Sequence, residues 1–356
     1  MTSSAARTLV RQRVLALQSV PHGSVAAGEL TQYGFTPADV LDFSVNTNPL
    51  GPAPNVTQAI QGADWTRYPG DDEAPLRRAL AQHAGVAPEQ VALGNGSVEL
   101  MWLIALALLE RADRVAIVGP TFGEYARAAL VVGSDGVEVQ SLAEVPAAAR
   151  LVFVCSPNNP TGAYHGRAEI EQLLVEGPDR LVVLDEAYAS FVEERWRSEQ
   201  LLREHRNLIV LRSLTKDHAL PGLRLGYALA SPDLASAFEA VRPPWSVNAG
   251  ALRAGLATLE PQALSHVRRA TAAVSESRHI LIAGFSALGY IVHPSVANFV
   301  LVDVGDGSAF RRALLPHGIV VRDCASFGLP SCVRIACGLP EQCTRLLEVV
   351  ESLKRQ

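Results

Sequence analysis

A hydroxyl, an amine and a guanidinium follow one apolar run of the sequence. The run Leu208–Leu211 predicts a buried strand, and Ser213–Lys216 comes directly after it, so Lys216 should lie at the rim of a sheet, where α/β proteins bind ligands. Arg224 follows eight residues later, and a Pro-Gly pair between the two predicts a tight connection back to that rim. Lysine forms Schiff bases with carbonyl cofactors, and Ser213 with Arg224 would suit a phosphate. Taken alone, Lys216 would be read as a surface lysine in a loop.

Polar residues follow two further apolar runs in the same way. Asp185 ends the run Leu181–Leu184, and Tyr188 comes three residues later. An anion at this edge would pair with the ring nitrogen of pyridoxal phosphate and keep the ring electron-withdrawing, while Tyr188 would reach its phenolic oxygen. A helix N-cap is the plain alternative for Asp185. Asn159 lies in the turn after Leu151–Cys155 and directs an amide to the same edge.

A phosphate cradle is predicted where glycines precede an apolar helix. Gly96 and Ser97 lead into Val98–Leu109, and backbone N–H groups at such a helix start bind phosphate. Phe122 follows the next strand candidate, Arg114–Val118, and would stack on an aromatic cofactor. An ordinary core phenylalanine fits that position equally well.

These residues are positioned by predicted strands and helices, because short β-rich runs alternate with amphipathic segments between about residues 90 and 230. Strands that are apolar on both faces predict an α/β fold, with a mostly parallel central sheet covered by helices. After about residue 247 the pattern of predicted helices and strands is different. We expect a long helix over 248–288, strands at 296–302 and 333–336, and helices near 307–315 and 340–354. This predicts a smaller α+β domain. The expected division is an N-terminal arm (1–44) joining the small domain, a large cofactor-binding domain (45–247) and the small domain (248–356).

The composition excludes several classes of protein. The chain has 356 residues, 48% of them hydrophobic, which excludes disorder. A net charge of −5 gives no general electrostatic footprint for nucleic acid. The longest apolar run, Leu100–Leu109, is about half of what a bilayer requires, so no membrane association is expected. The five cysteines fit neither an even disulfide framework nor zinc spacing, and we expect reduced thiols in a cytoplasmic protein.

In order and spacing, these motifs resemble the class I/II aminotransferase superfamily of fold-type I pyridoxal-phosphate enzymes, from about residue 42 to the C-terminus. The resemblance implies that Lys216 forms the Schiff base with pyridoxal 5′-phosphate and that Asp185 pairs with its ring nitrogen. Asn159 and Tyr188 would bond the phenolic oxygen, and Phe122 would stack on the ring. The implied phosphate-binding residues are Gly96, Ser97, Val98, Ser213 and Arg224.

The resemblance also concerns assembly and substrate. Tyr68 matches the family tyrosine that reaches the phosphate of the neighbouring subunit, which implies a homodimer with shared active sites. Arg334 matches the arginine that clamps a substrate carboxylate, a role suited to its planar fork. The implied ligand is therefore a small-molecule amino acid or amino phosphate.

Within the superfamily, the chain most resembles the group of histidinol-phosphate aminotransferases and threonine-phosphate decarboxylases. In that group Asn46 and Arg322 would contact the substrate, and His22 with Gly23 would help to hold its phosphate. The segments 41–51, 212–216, 244–248 and 321–324 look most like the decarboxylase branch. We expect an aminotransferase. Decarboxylation of a phosphoamino acid and a non-enzymatic pyridoxal-phosphate-sensing module are the alternatives.

Overall fold

The computed structural model describes residues 10–15, 17, 27–70 and 72–355 of the chain. Its strands are β1 (Leu41–Asp42), β2 (Val91–Gly94), β3 (Arg114–Val118), β4 (Asp135–Val139), β5 (Leu151–Cys155), β6 (Leu181–Asp185), β7 (Leu208–Ser213), β8 (Gly226–Leu229), β9 (Ile291–His293), β10 (Phe299–Asp303), β11 (Ile319–Val320), β12 (Arg322–Asp323) and β13 (Cys332–Ala336). Its helices are α1 (Gln12–Leu15), α2 (Ala27–Thr31), α3 (Pro54–Gln61), α4 (Glu73–Ala84), α5 (Ser97–Leu108), α6 (Glu124–Val132), α7 (Arg167–Glu176), α8 (Pro232–Val241), α9 (Ala249–Thr258), α10 (Pro261–Ala287), α11 (Gly307–Leu314) and α12 (Pro340–Lys354).

The main sheet of the described chain has seven strands in the order β2-β8-β7-β6-β5-β3-β4. Strands β3 to β7 pair in parallel, and β8 runs antiparallel to both of its neighbours. The central strands are apolar on both faces because helices cover both faces. Phe153 and Val183 pack on the side of α5, α6 and α8, whereas Val154 and Leu184 pack on the side of α4, α7 and α9.

Parallel pairing brings several strand ends to one edge of this sheet. Cys155 and Asp185 are register partners at the ends of β5 and β6. The last residue of β7, Ser213, pairs with Gly226, which in turn pairs with Gly94 at the end of β2. The connections that leave these strands therefore start side by side.

A second, smaller unit contains the antiparallel sheet β12-β13-β10-β9, with α10 and α11 packed on it. Its core includes Phe285, Val300 and Ile335. Phe43 belongs to the same core, and the preceding strand β1 pairs in parallel with β11. The segment before the main sheet thus contacts this C-terminal unit.

The predicted α/β fold class is confirmed, and two local expectations differ. The single helix expected over 248–288 is wrong, because α9 ends at Thr258 and α10 begins at Pro261. Proline has no N–H to continue a helix, but it is well suited to the first helical position. The strand β4 was missed because only Val139 in it is buried, so it carries no apolar run. Within the described residues, no helix is long and apolar enough to cross a membrane.

Candidate active site

A cavity of about 640 Å³ lies at the edge where the parallel strands end, and the C-terminal sheet contributes to its wall. Its lining brings together most of the residues that the sequence singled out. These are Asn46, Ser97, Val98, Phe122, Asn159, Asp185, Tyr188, Ser213, Lys216, Arg224, Arg322 and Arg334.

Lys216 lies in the turn after β7, and its backbone is fixed from outside the sheet. Its carbonyl accepts a hydrogen bond from the N–H of Asn48, at 2.8 Å. Burial lowers the pKa of the amine to about 8, and the positive charges of Arg334 and Arg224 act in the same direction. A larger fraction of this amine is therefore neutral near pH 7 than in an exposed lysine. A neutral amine is the form that attacks carbonyls and accepts protons.

Asp185 ends β6 with a carboxylate whose two oxygens are held separately. Oδ2 accepts from the hydroxyl of Tyr125 at 2.7 Å, and Oδ1 accepts from the N–H of Ala187 at 3.0 Å. Burial raises the pKa of this carboxyl to about 6. Burial also raises the pKa of the Tyr188 hydroxyl, to about 12, so Tyr188 is a neutral hydrogen-bond donor in the cavity.

The start of α5 forms a cradle of the kind that binds phosphate. Gly96 has φ +81°, and a Cβ added there would lie 2.6 Å from Nη2 of Arg224. The guanidinium therefore sits where a side chain at position 96 would be. Ser213 and Thr215 place their hydroxyl oxygens 2.7 Å apart beside it. Backbone N–H groups, hydroxyls and a guanidinium together fit a phosphate group.

Arg334 is a buried cation from the C-terminal sheet. One terminal nitrogen donates to the side-chain oxygen of Asn159, and the other donates to the carbonyl of Ser44 at 2.8 Å. Its guanidinium carbon lies 5.4 Å from the centre of the Phe299 ring. Burial and the neighbouring Arg322 lower the pKa of this guanidinium. Arg334 is thus held in place before any anion reaches it.

Unpaired polar atoms in the cavity indicate that a polar ligand belongs there. The Asn46 amide lies beside Tyr188 and lowers the pKa of its hydroxyl, yet neither amide atom has a hydrogen-bond partner of normal geometry within the described chain. Nε of Arg334 is likewise buried without one. Buried polar groups almost always have partners, so a ligand with donors and acceptors fits this space.

Two of the described residues predicted for the site, Gly96 and Tyr68, are not among those that line the cavity, although Gly96 directly precedes the lining residue Ser97. Tyr68 is 76% exposed, stacks on Trp245 with ring centroids 4.2 Å apart, and is not among the lining residues. His22 and Gly23 lie outside the described residues. Sequence reasoning in turn missed Tyr125. Its position three residues after Phe122, where an amphipathic segment begins, was the available signal.

The comparisons with known proteins agree with this fold and site. A family model described as aminotransferase class I and II matches residues 38–350. A histidinol-phosphate aminotransferase of Symbiobacterium thermophilum is 37% identical over 328 residues, which cover 88% of this chain and 90% of that protein.

Two solved structures are similar over most of their length. Histidinol-phosphate aminotransferase from Sinorhizobium meliloti, in complex with pyridoxal-5′-phosphate, has a TM-score of 0.84 and 26% identity, covering 96% of this chain and 97% of that one. L-threonine-O-3-phosphate decarboxylase from Porphyromonas gingivalis has a TM-score of 0.81 and 27% identity, covering 89% and 100%.

The sheet architecture, the partly buried lysine and the buried carboxylate and arginine in one cavity define a fold-type I pyridoxal-phosphate enzyme. The chain belongs to the aminotransferase class I and II family. It is an aminotransferase whose cofactor is pyridoxal phosphate, and the predicted family, enzyme class and cofactor are confirmed.

Proposed function

We propose that this aminotransferase exchanges an amino group between a phosphate-bearing amine of the histidinol-phosphate type and a 2-oxo acid. The observation that carries the proposal is the presence of two arginines, Arg322 and Arg334, in the same cavity as Lys216. Guanidinium groups suit phosphate and carboxylate alike, so one site could accept both partners in turn. The relatives named histidinol-phosphate aminotransferase support this choice of amine.

The proposed cofactor contacts follow from the cavity. Lys216 would hold the cofactor covalently, Asp185 would face its ring nitrogen, and Phe122 would cover its ring. Asn159 and Tyr188 would bond its phenolic oxygen. The phosphate would lie in the cradle of Gly96, Ser97, Val98, Ser213 and Arg224, with Tyr68 of a second subunit. Asn46, Arg322 and Arg334 would contact the substrate, together with His22 and Gly23.

The chain's own residues would then act on the substrate by binding it and moving a proton. When bound, pyridoxal phosphate supplies an electron-withdrawing ring that stabilises negative charge at the reacting carbon. Once the amine of the substrate has replaced it, Nζ of Lys216 is free to accept the proton that leaves this carbon, and burial favours the neutral form of this amine. Asp185, as a carboxylate, keeps the ring protonated. Arg334 holds an acidic group of the substrate and so fixes which bond faces Lys216.

We also propose a cytoplasmic homodimer with shared active sites. Tyr68 and Trp245 form an exposed aromatic pair that a second subunit would cover. Exposed aromatic residues of this kind are typical of protein interfaces. All five cysteines lie within the described residues, and all are free and buried, which is compatible with a reducing compartment.

Two incubations of the purified holoenzyme test the proposed reaction. With histidinol phosphate and 2-oxoglutarate, we expect glutamate to form at a rate that Lys216→Ala abolishes. With threonine phosphate alone, we expect no carbon dioxide. Carbon dioxide and aminopropanol phosphate without glutamate formation would instead support the phosphoamino-acid decarboxylase.

A further inference from the structure

Tyr125 contacts two of the residues proposed to hold the cofactor, although it is not itself one of them. It lies in the first turn of α6, is 0% exposed, and is three residues from Phe122. We propose that Tyr125 is a positioning residue: its hydroxyl fixes the Asp185 carboxylate, and its ring fixes Phe122. The inference rests on the roles proposed above for Asp185 and Phe122.

The hydroxyl contact helps to fix the orientation of the Asp185 carboxylate. Tyr125 donates to Oδ2 of Asp185 at 2.7 Å, and the N–H of Ala187 donates to Oδ1 at 3.0 Å. With one donor on each oxygen, the plane of the carboxylate is set before a ligand binds. Each oxygen keeps a second lone pair with which it can accept from a protonated ring nitrogen.

The ring of the same tyrosine contacts Phe122, another residue that lines the cavity. Phe122 meets the Tyr125 ring edge-on, with centroids 5.8 Å apart and an interplanar angle of 86°. On its other side, Tyr125 stacks on Phe153 of β5, with centroids 4.8 Å apart and an angle of 14°. Both geometries are favourable for aromatic pairs. Tyr125 thus packs against the sheet, and Phe122 packs against Tyr125.

Several titratable groups face Asp185. Burial has the largest effect on the pKa of its carboxyl, and the Tyr125 hydroxyl opposes that effect. Burial disfavours the carboxylate, and the negative charge of Glu186 acts in the same direction. The Tyr125 hydroxyl favours the carboxylate, as does the positive charge of Lys216. Cys155 ends the neighbouring strand, and burial raises the pKa of its thiol to about 12, so it adds no charge. Loss of the hydroxyl should therefore raise the pKa of Asp185.

The test is a pH titration of the Asp185 carboxyl in the cofactor-free protein. It is monitored by ¹³C NMR of labelled aspartate, and Asp185→Asn identifies the Asp185 signal. In Tyr125→Phe, which keeps the ring, we expect the midpoint to rise by about one pH unit. A rise of one unit is a tenfold decrease in the acid dissociation constant of the Asp185 carboxyl. Tyr290→Phe, a change of the same type in the C-terminal core, should leave the midpoint unchanged. An unchanged midpoint in Tyr125→Phe overturns the proposal.

The ring contact is tested by cofactor affinity, measured by fluorescence titration of the same cofactor-free proteins. Tyr125→Leu removes the edge that supports Phe122, and we expect cofactor to bind about tenfold more weakly than in Tyr125→Phe. Equal affinities would refute the ring contact. Should Tyr125→Leu not fold, the Tyr125→Phe titration still decides the proposal. Normal turnover in Asp185→Asn would instead refute the proposed role of Asp185, whatever the titration shows.

Discussion

Arg322 and Arg334 lie directly opposite each other on the antiparallel strands β12 and β13, and both side chains line the same cavity. Like charges at opposing positions of paired strands repel each other. Burial lowers the pKa of both guanidinium groups, and Arg322 lowers that of Arg334 further. The pair therefore forms a concentrated positive charge, which the anionic groups of a substrate would stabilise.

Arg322→Gln should accordingly weaken substrate binding without destabilising the fold. We expect KM for a phosphate-bearing amine to rise at least about tenfold, because a charge-assisted contact is lost. The melting temperature of the cofactor-free protein should change little, because removal of this repulsion offsets loss of the hydrogen bond to Ser326 and of the contact with the Phe327 ring. Steady-state kinetics and thermal unfolding measure the two effects. Arg345→Gln, an exposed position on α12, is the matched control and should change neither. A fall in the melting temperature with unchanged KM would show a structural role for Arg322.

Borohydride reduction of the holoenzyme should fix the cofactor to Lys216 alone. The chain contains two lysines, Lys216 and Lys354, so peptide mapping has one other lysine to exclude. Lys354 lies in the last turn of α12 and is not among the residues that line the cavity. We expect Lys354→Arg to be labelled as the wild type is and Lys216→Arg not to be labelled. A pyridoxyl group on Lys354 would contradict the assignment.

The pH dependence of cofactor uptake should report the lowered pKa of Lys216. The neutral amine is the form that reacts with a carbonyl, and burial brings its pKa down to about 8. The rate of reconstitution should therefore rise with pH, reach half its maximum near pH 8 and level off above it. Stopped-flow absorbance between pH 6.5 and about 11.5 measures this profile. A midpoint near 10.4, the value of an exposed lysine, would mean that the amine is hydrated in the cofactor-free protein.

The sequence predicted the strands that carry the site well because fully buried parallel strands are short, apolar and bounded by turn residues. β3 and β5 agree with their predicted bounds, and Asp185 and Ser213 fall at strand ends as expected. These signals are local, and each lies within a few residues of the side chain that it positions.

Other features depend on pairings that no local pattern encodes. The hydrogen bond from Tyr125 to Asp185 joins residues 60 positions apart, and the opposition of Arg322 and Arg334 depends on the register of two short strands. Edge strand β4 has one buried residue, so its hydrophobic signal is too weak to detect. The local sequence therefore identifies chemical groups at strand ends, but tertiary packing decides which of them meet.

A buried ion cluster behind the cavity should be important for stability. Arg212 donates through Nε and Nη2 to Glu186 at 3.0 and 2.9 Å, and Nη2 lies 2.7 Å from Glu199. Each residue of the first pair adjoins a cavity residue, because Glu186 follows Asp185 and Arg212 precedes Ser213. Arg212→Met would leave two buried carboxylates without their main partner. We expect a loss of about 3–5 kcal/mol in the free energy of unfolding.

Urea unfolding of the cofactor-free protein measures this loss. Arg345→Met breaks an exposed ion pair with Glu348 and is the matched control, with an expected change below about 0.5 kcal/mol. A similarly small change in Arg212→Met would mean that the two carboxylates are protonated or relax towards solvent when the arginine is lost.

The exposed position of Tyr68 leads to a prediction about assembly. Tyr68 stacks on Trp245 outside the cavity of its own chain, so it can complete a site only by reaching that of a second subunit. Tyr68→Ala and Lys216→Ala should each be impaired alone. In a mixed dimer, one site would carry both lesions and the other neither. After subunit exchange in a 1:1 mixture, half of the dimers are mixed, so about a quarter of wild-type activity should return.

The control for this experiment mixes Asp185→Asn with Lys216→Ala. Asp185 and Lys216 line the same cavity of one chain, so a mixed dimer carries one lesion in each site and should recover no activity. Subunit exchange is verified by differential labelling and native mass spectrometry. If exchange is complete and the Tyr68→Ala mixture remains as inactive as the control mixture, Tyr68 does not serve a neighbouring site. Its ring then has no function beyond its packing on Trp245, and each subunit builds its phosphate cradle from its own residues.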